Sequence, residues 1–256
     1  PSDSHLPSAP DRGSALRRAA ALVLAAALAL AAAGCKAPPP SLDHLPEVAV
    51  LAPVNFDVGT PAQLEPGIAP IDKLLALYLG TKNIEVVRPG LPEFREAWSR
   101  SATELSLKSR DGEIYRQVAA RVLAEFAPEG RRSVIVLPEL LHRTAELVGS
   151  VAKWDGVVHE VIAEGLWDPE RHHEAFLTFN EATRCVSVGL RIVDPSGAKV
   201  HEGYGGIGIP FKFVGHRRLK GYYSNSFVLR DDLFEDTKIL ARAIKIAFDP
   251  YIPRIL

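Results

Sequence analysis

Four groups of residues in this chain have the types and spacing to do chemistry. Gly203, Gly205 and Gly208 match the spacing G-x-G-x-x-G. In a dinucleotide site those glycines turn a strand into a helix whose first turn holds a pyrophosphate. Here Ile209-Pro210-Phe211-Lys212-Phe213 follows, which opens no helix, so the glycines are expected in a bent, glycine-rich edge strand. Eight histidines raise metal binding, but His159-Glu160, His173-Glu174 and His201-Glu202 are not completed to H-E-x-x-H. His172 and His173 are adjacent, so their side chains diverge on any regular element. No cysteine pair has zinc spacing. The histidines are expected at the solvated surface, with no metal and no cofactor. Cys185 opens an alternating strand, where a buried and inert thiol is the usual outcome. No G-x-S-x-G nucleophile is present, and no catalytic residue is assigned. The fourth group is Phe211 to Tyr223, where basic residues alternate with aromatics. Such a surface grips anionic glycans, phosphate head groups or an acidic protein face. Lys212, Phe213, His216, Arg217, Arg218, Lys220, Tyr222 and Tyr223 are the expected partner contacts. The plainer alternative is a solvated loop with its aromatic residues tucked into the core.

The N-terminal part carries a different chemistry. Ala19 to Ala33 is an apolar run of fifteen residues without charge, preceded by Arg12, Arg17 and Arg18. As a helix it would span about 22 Å, short of the roughly 30 Å hydrocarbon core. A basic segment followed by a short apolar one is the pattern of an export signal. The run ends in Ala32-Ala33-Gly34-Cys35, which resembles a bacterial lipobox, with Ala32 where leucine is commoner. The implied modification is a lipid on the Cys35 thiol, making the membrane a partner through that anchor. Lys36 stands where an aspartate would favour inner-membrane retention, so the implied location is the outer membrane. Residues 1–34 are read as the signal, 35–46 as a lipidated tether with Pro38, Pro39, Pro40 and Pro46, and 47–256 as one periplasmic domain.

The elements that must position these groups can be read in order. Val48 to Leu51 is a short apolar strand ending at Pro53. Asn55 to Pro70 reads as loop and Ile71 to Gly80 as a helix capped by glycine. Ile84 to Val87 is a second strand. Leu91 to Arg110 is polar and ambiguous, with Trp98 as its one large anchor. Asp111 to Phe126 is a helix, capped by Asp111 and buried through Ile114, Val118, Val122 and Phe126. Ser133 to Leu137 is a third strand and Leu140 to Val151 a short helix. Gly156 to Glu164 is a strand. Arg184 to Asp194 alternates, with Val186, Val188, Leu190 and Ile192 on one face. Asp194-Pro195-Ser196-Gly197 is a turn that returns the chain as Lys199 to Ile209. Pro210 to Ser226 reads as irregular. Asp231 to Phe248 is a closing amphipathic helix. The fold class is therefore α/β, a single three-layer domain. Its mixed sheet has parallel opening strands and an antiparallel C-terminal hairpin, and helices flank it.

The strand Val48–Leu51, the helix Ile71-Asp-Lys-Leu-Leu-Ala-Leu-Tyr-Leu and the segment Glu85-Val-Val-Arg-Pro resemble the opening of an envelope lipoprotein superfamily. Its members include the curli-secretion lipoprotein, the penicillin-binding-protein activator lipoprotein and the N-terminal domain of the Tol-system propeller protein. Trp154-Asp-Gly-Val-Val-His-Glu-Val, Val188-Gly-Leu-Arg-Ile-Val-Asp-Pro-Ser-Gly and the closing helix are similar as well. The resemblance implies a non-enzymatic protein that docks onto synthases or helps assemble export machinery. The expected function is to bind an envelope protein complex and to regulate or scaffold it. A lipoprotein subunit of an oligomeric export channel and an envelope hydrolase are the alternatives, the first of which requires a homo-oligomer. A membrane β-strand needs about ten alternating residues. Neither Leu91–Arg110 nor Phe211–Phe227 alternates in that way, which favours docking.

Composition sets the outer bounds. The 256 residues carry a formal charge of −1 and are 47% apolar and 24% charged. Those values exclude a wholly disordered chain and give no basic excess for nucleic acid. Two cysteines cannot staple a disulfide scaffold.

Overall fold

The chain opens its folded part with β1 (Val48–Leu51), all four residues of which are buried. A strand covered on both faces must be this uniformly apolar. The structure, a computed structural model, describes residues 44–110, 112–148, 151–160, 163–164, 180–217 and 223–253. Cys35 and the signal lie outside them, as do Asp111, His172, His173, Arg218, Lys220 and Tyr222. α1 (Glu65–Gly80) carries the chain from β1 to β2 (Glu85–Val87). α2 (Leu91–Glu104) and α3 (Glu113–Phe126) then lead to β3 (Ser133–Val148). β2 and the start of β3 flank β1, both parallel to it. β4 (Val151–Trp154) and β5 (Val157–Glu160) continue as an antiparallel pair from the far end of β3. β6 (Ala163–Glu164) belongs elsewhere. β7 (Asn180–Val193) runs antiparallel along β3 from Val148↔Asn180 to Ile135↔Val193, and β8 (Lys199–Gly208) pairs with β7. The resulting order β2-β1-β3-β7-β8 is a mixed sheet, as expected. β9 (Phe211–Arg217) and β10 (Tyr223–Leu229) form a hairpin, which β6 extends into a second, three-stranded sheet. α4 (Thr237–Phe248) closes the chain.

The sheet is sandwiched. One face puts Leu51, Val136, Val188 and Leu190 against α1 and α4. The other puts Val50, Ile135 and Leu137 against α2 and α3. A third, smaller cluster of Ala145, Leu147, Trp154 and Cys185 lies towards the far end of β3.

Several elements differ from the sequence reading, each for a physical reason. α1 begins at Glu65, ahead of the expected Ile71, and passes through Pro70. Its first turn has Pro66, which suits a helix start. That turn is also held by packing, because a methyl group on Gly67 would meet the Phe234 ring at 2.6 Å. Leu91–Glu104 is a helix whose buried residues Phe94, Ala97, Trp98 and Ser101 follow helical spacing inside a polar sequence. In α3 the buried stripe is Tyr115, Val118, Ala119 and Val122, and Ile114 is 42% exposed. Where a helix is expected over Leu140–Val151, the described residues are strand instead: Leu140–Val148 continues β3 and Val151 opens β4. The ladder to β7 supplies a hydrogen-bond partner at each step, and this tertiary pairing overrides local spacing. The expected strand over Gly156–Glu164 is split, with Val157–Glu160 in the main sheet and Ala163–Glu164 in the small one. Within Pro210–Ser226, expected to be irregular, Phe211–Arg217 is β9 and the residues from Tyr223 on belong to β10, paired antiparallel with it. The final helix starts at Thr237, capped by the Asp236 carboxylate, which accepts from Lys238 N and Ile239 N.

β8 and α4 approach unusually closely. A methyl group on Gly205 would fall 1.9 Å from Ala243 O, and one on Gly203 would fall 2.2 Å from Ala247 O. The glycines sit in an edge strand, as expected, and what they make room for is helix backbone. Gly205→Ala should therefore destabilise the fold by at least roughly 1–3 kcal/mol, the usual cost of overpacking. Gly80→Ala, where no atom lies within 4 Å, should be neutral or stabilising by up to about 1 kcal/mol. Urea midpoints of the two variants check this; equal midpoints would refute the close-packing account.

Candidate functional site

Two concave regions lie near the carboxyl ends of the parallel strands. The first is an open cleft of about 950 Å³ between the beginnings of α1 and α2. Its apolar lining includes Leu51, Pro53, Val58, Ile68 and Leu91. Open α/β sheets receive ligands at this position, and the volume lies at the upper end of ligand-pocket size. The two arginines at its edge have partners: Arg88 pairs with Asp72, and Arg95 Nε donates to Phe56 O at 2.9 Å. The loop after β1 is fixed by Asn55. This residue has φ 56° and is 4% exposed. Its Nδ2 donates to Leu140 O at 3.0 Å, and its Oδ1 accepts from Leu140 N at 2.9 Å. The amide thereby pairs with β3 as a neighbouring strand would, so no buried polar group is left unsatisfied.

The second region is a charged trough on the face that α2 and α3 cover only in part. Arg110 forms a fork on Asp57, with two bonds of 3.0 Å, and also binds Glu139. Tyr115 Oη donates to Asp57 at 3.3 Å. Arg191 donates to Arg110 O at 2.9 Å and to Glu202 at 3.3 Å, and lies 5.2 Å over the Tyr115 ring. Glu202 also accepts from Lys199 at 2.5 Å and from Tyr204 Oη at 3.0 Å. These bonds, led by that from Lys199, hold the Glu202 carboxyl down at about 2 against the opposing effect of burial. Burial first, and then the Asp57 charge, push the Tyr115 hydroxyl up. Further along, the Tyr204 ring lies beside Gly189, and Arg143 stands 4.5 Å over it. Arg143 pairs with Asp155 at 3.2 Å, and Ser187 Oγ donates to Asp155 at 2.7 Å. Asp155 has φ 36°, a conformation that costs energy in a non-glycine residue.

A carboxylate held ionised down to pH 2 is a poor proton shuttle near neutrality. The trough is suited to charge recognition and to fixing the surrounding loops. Long-range convergence hid it from the sequence reading, since Asp57, Arg110, Glu139, Arg191 and Glu202 share no spacing.

Of the expected partner contacts, Lys212 lies on β9, half-buried, 3.9 Å from Asp232. Phe213, His216 and Arg217 follow on the same strand, and Tyr223 opens β10 opposite Arg217. Arg218, Lys220 and Tyr222 fall outside the described residues, as does Cys35. His201, expected at the surface, is 9% exposed, with Nε2 2.7 Å from Ala247 O. Glu202 turns to the opposite face, so the two cannot share a ligand. Among the described residues no group of three or more His, Cys, Asp and Glu side chains could hold a metal. Cys185 is fully buried, and burial pushes its thiol up to about 12.

Two outcomes are expected. Glu202→Gln should lower the urea midpoint at pH 7. The wild-type carboxylate's advantage is full above the unfolded value near 4.5, falls with pH below that, and is gone at about 2. A gap between the two proteins that is unchanged from pH 6 to pH 2 would contradict this assignment. Cys185 in the native protein should resist iodoacetamide at pH 8 and react on unfolding, as mass spectrometry would read; rapid native labelling would mean an accessible thiolate.

No family model matches the chain, and no curated protein matches it.

Proposed function

We propose that this chain is an outer-membrane-anchored periplasmic lipoprotein that binds an envelope protein complex and regulates or scaffolds it, without catalysis. The observation that carries the reading is Gly34-Cys35 at the end of an uncharged apolar run with arginines before it. A lipidated cysteine there would be followed by a short leash. Among the described residues, the earliest contacts along the chain include His44 Nε2 to Tyr251 O at 2.7 Å and Glu47 N to Arg132 O at 2.9 Å. Eight residues lie between Cys35 and His44, nine steps that reach at most about 32 Å when fully extended. A domain held that near the bilayer meets partners that themselves lie against the membrane. The β9–β10 hairpin, with Lys212, Phe213, His216, Arg217 and Tyr223, is the contact face on this reading. Arg218, Lys220 and Tyr222 lie between its strands in sequence.

The anchor is tested by fractionating cells that carry the full chain. Wild type should sediment with membranes and need detergent for release, and Cys35→Ser should move to the soluble fraction. Unchanged sedimentation of the variant would overturn the anchor. A photo-crosslinker at Tyr223 should then capture a defined envelope protein in wild type, and less of it after Arg217→Glu.

A further inference from the structure

We propose that the outer end of the charged trough is a binding site for a phosphate group. The site stands whether or not the docking reading holds. A cavity of about 160 Å³ opens beside Tyr115, lined by Arg110, Arg116, Arg191 and Lys199, with Gly112 and Glu202. This is room for several water molecules at about 30 Å³ each. The four cations come from four places in the chain: the segment before α3, α3 itself, β7 and β8. Residues up to 89 positions apart thus converge on one small space.

Of the described residues lining the cavity, four are cationic and one, Glu202, is anionic. Arg110 is matched from its other side by Asp57 and Glu139, neither of which lines this cavity. The inner end of the trough shows how this chain closes an arginine for structural purposes, with a carboxylate fork and a second carboxylate. Arg116, at the outer end, is not closed in that way. Arg116 Nε donates to Gly197 O at 3.2 Å, a backbone carbonyl, and none of the described carboxylates bonds Arg116. Its terminal N–H groups remain available for an acceptor.

The geometry favours an oxyanion with several oxygens over a halide. Guanidinium forks bind phosphate through paired N–H groups, and a lysine adds a point charge. A phosphate monoester brings about −1.5 to −2 charges at neutral pH, the sign that these side chains attract. α3 begins at Glu113, and Gly112 before it supplies no side-chain cap, so its dipole adds a field of the same sign. The helix end supplements the cations and does not define the site. The phosphate can belong to a soluble molecule or to a lipid head group, and both present the same chemistry here.

Calorimetric titration of the full-length protein in a phosphate-free maltoside detergent at low salt tests the site. The probes are inorganic phosphate, glycerol phosphate and a short-chain phosphatidic acid. Wild type should bind at least one of them saturably with one site per chain. Arg116→Ala and Lys199→Ala should each weaken that binding by roughly tenfold or more. Arg116→Lys should lie between wild type and Arg116→Ala. Arg121→Ala, on the same helix but ion-paired with Glu104, should bind as wild type does. Removal of Arg116 costs a bond to one carbonyl, so an unchanged circular dichroism spectrum is expected. Preference for phosphatidic acid would identify a lipid source, and preference for either small phosphate a soluble one. No saturable heat with any probe, or the same affinity in wild type and Arg116→Ala, would overturn the proposal.

Discussion

The ladder between β3 and β7 is the constraint on which the rest of the structure depends. One register, from Ile135↔Val193 to Val148↔Asn180, serves two environments in succession. Its first part lies between helical layers and is apolar on both faces. Beyond Glu139 the helices no longer cover one face, and the same ladder carries Glu139 and Arg143 beside Gly189 and Ser187 before it turns apolar again at Ala145 and Leu147. A slip of one residue would exchange the faces of either strand. Leu137 and Val136 would change helical layers, and the trough would lose Glu139 and Arg143 to the opposite side. The charged groups therefore add specificity to the register, beyond any stability they contribute.

Their energetic weight is uneven. Most ion pairs here are half-exposed, and such pairs typically contribute less than about 1 kcal/mol each. Arg100 with Glu125 and Arg121 with Glu104 are of that kind. Asn55 differs because it is buried and satisfied at both ends of its amide. Removing a buried partner leaves the other group unpaired, at a cost of about 1–3 kcal/mol. The loop that forms one wall of the cleft thus depends more on a single neutral amide than on the arginines at its edge.

How much of this was legible in the sequence varied with the range of the determining interaction. β1, β2, the turn at Asp194–Gly197 and the β7–β8 hairpin are set locally, by apolar runs and by turn chemistry. In that turn Asp194 Oδ1 accepts from Ser196 N and Ala198 N, and Gly197 has φ 82°. The leucines and valine of Leu140–Val148 suit a helix until a partner strand is supplied. Phe94, Ala97 and Trp98 did spell out a helix, but the surrounding charge masked it. The glycines of β8 match a motif they do not serve, and only the helix pressed against them explains their spacing. The trough had no signal at all. Its members lie on four elements, α3, β3, β7 and β8, and on three loops, and only the fold makes them neighbours.

The contact of His44 with Tyr251, which itself stacks on His201 at 5.7 Å between ring centroids, has a mechanical meaning. Tension applied through the residues before His44 reaches this small clasp of rings before it reaches β1. If the clasp parts, the load falls on β1, which is flanked by a strand on each side and would be pulled lengthwise along both. Hydrogen bonds loaded in that direction share the force and must fail together, whereas a strand peeled from an edge loses them one at a time. Resistance to forced unfolding is set by the unfolding rate, so the strand order β2-β1-β3 gives the chain a shear-loaded element at the point where a pull would enter.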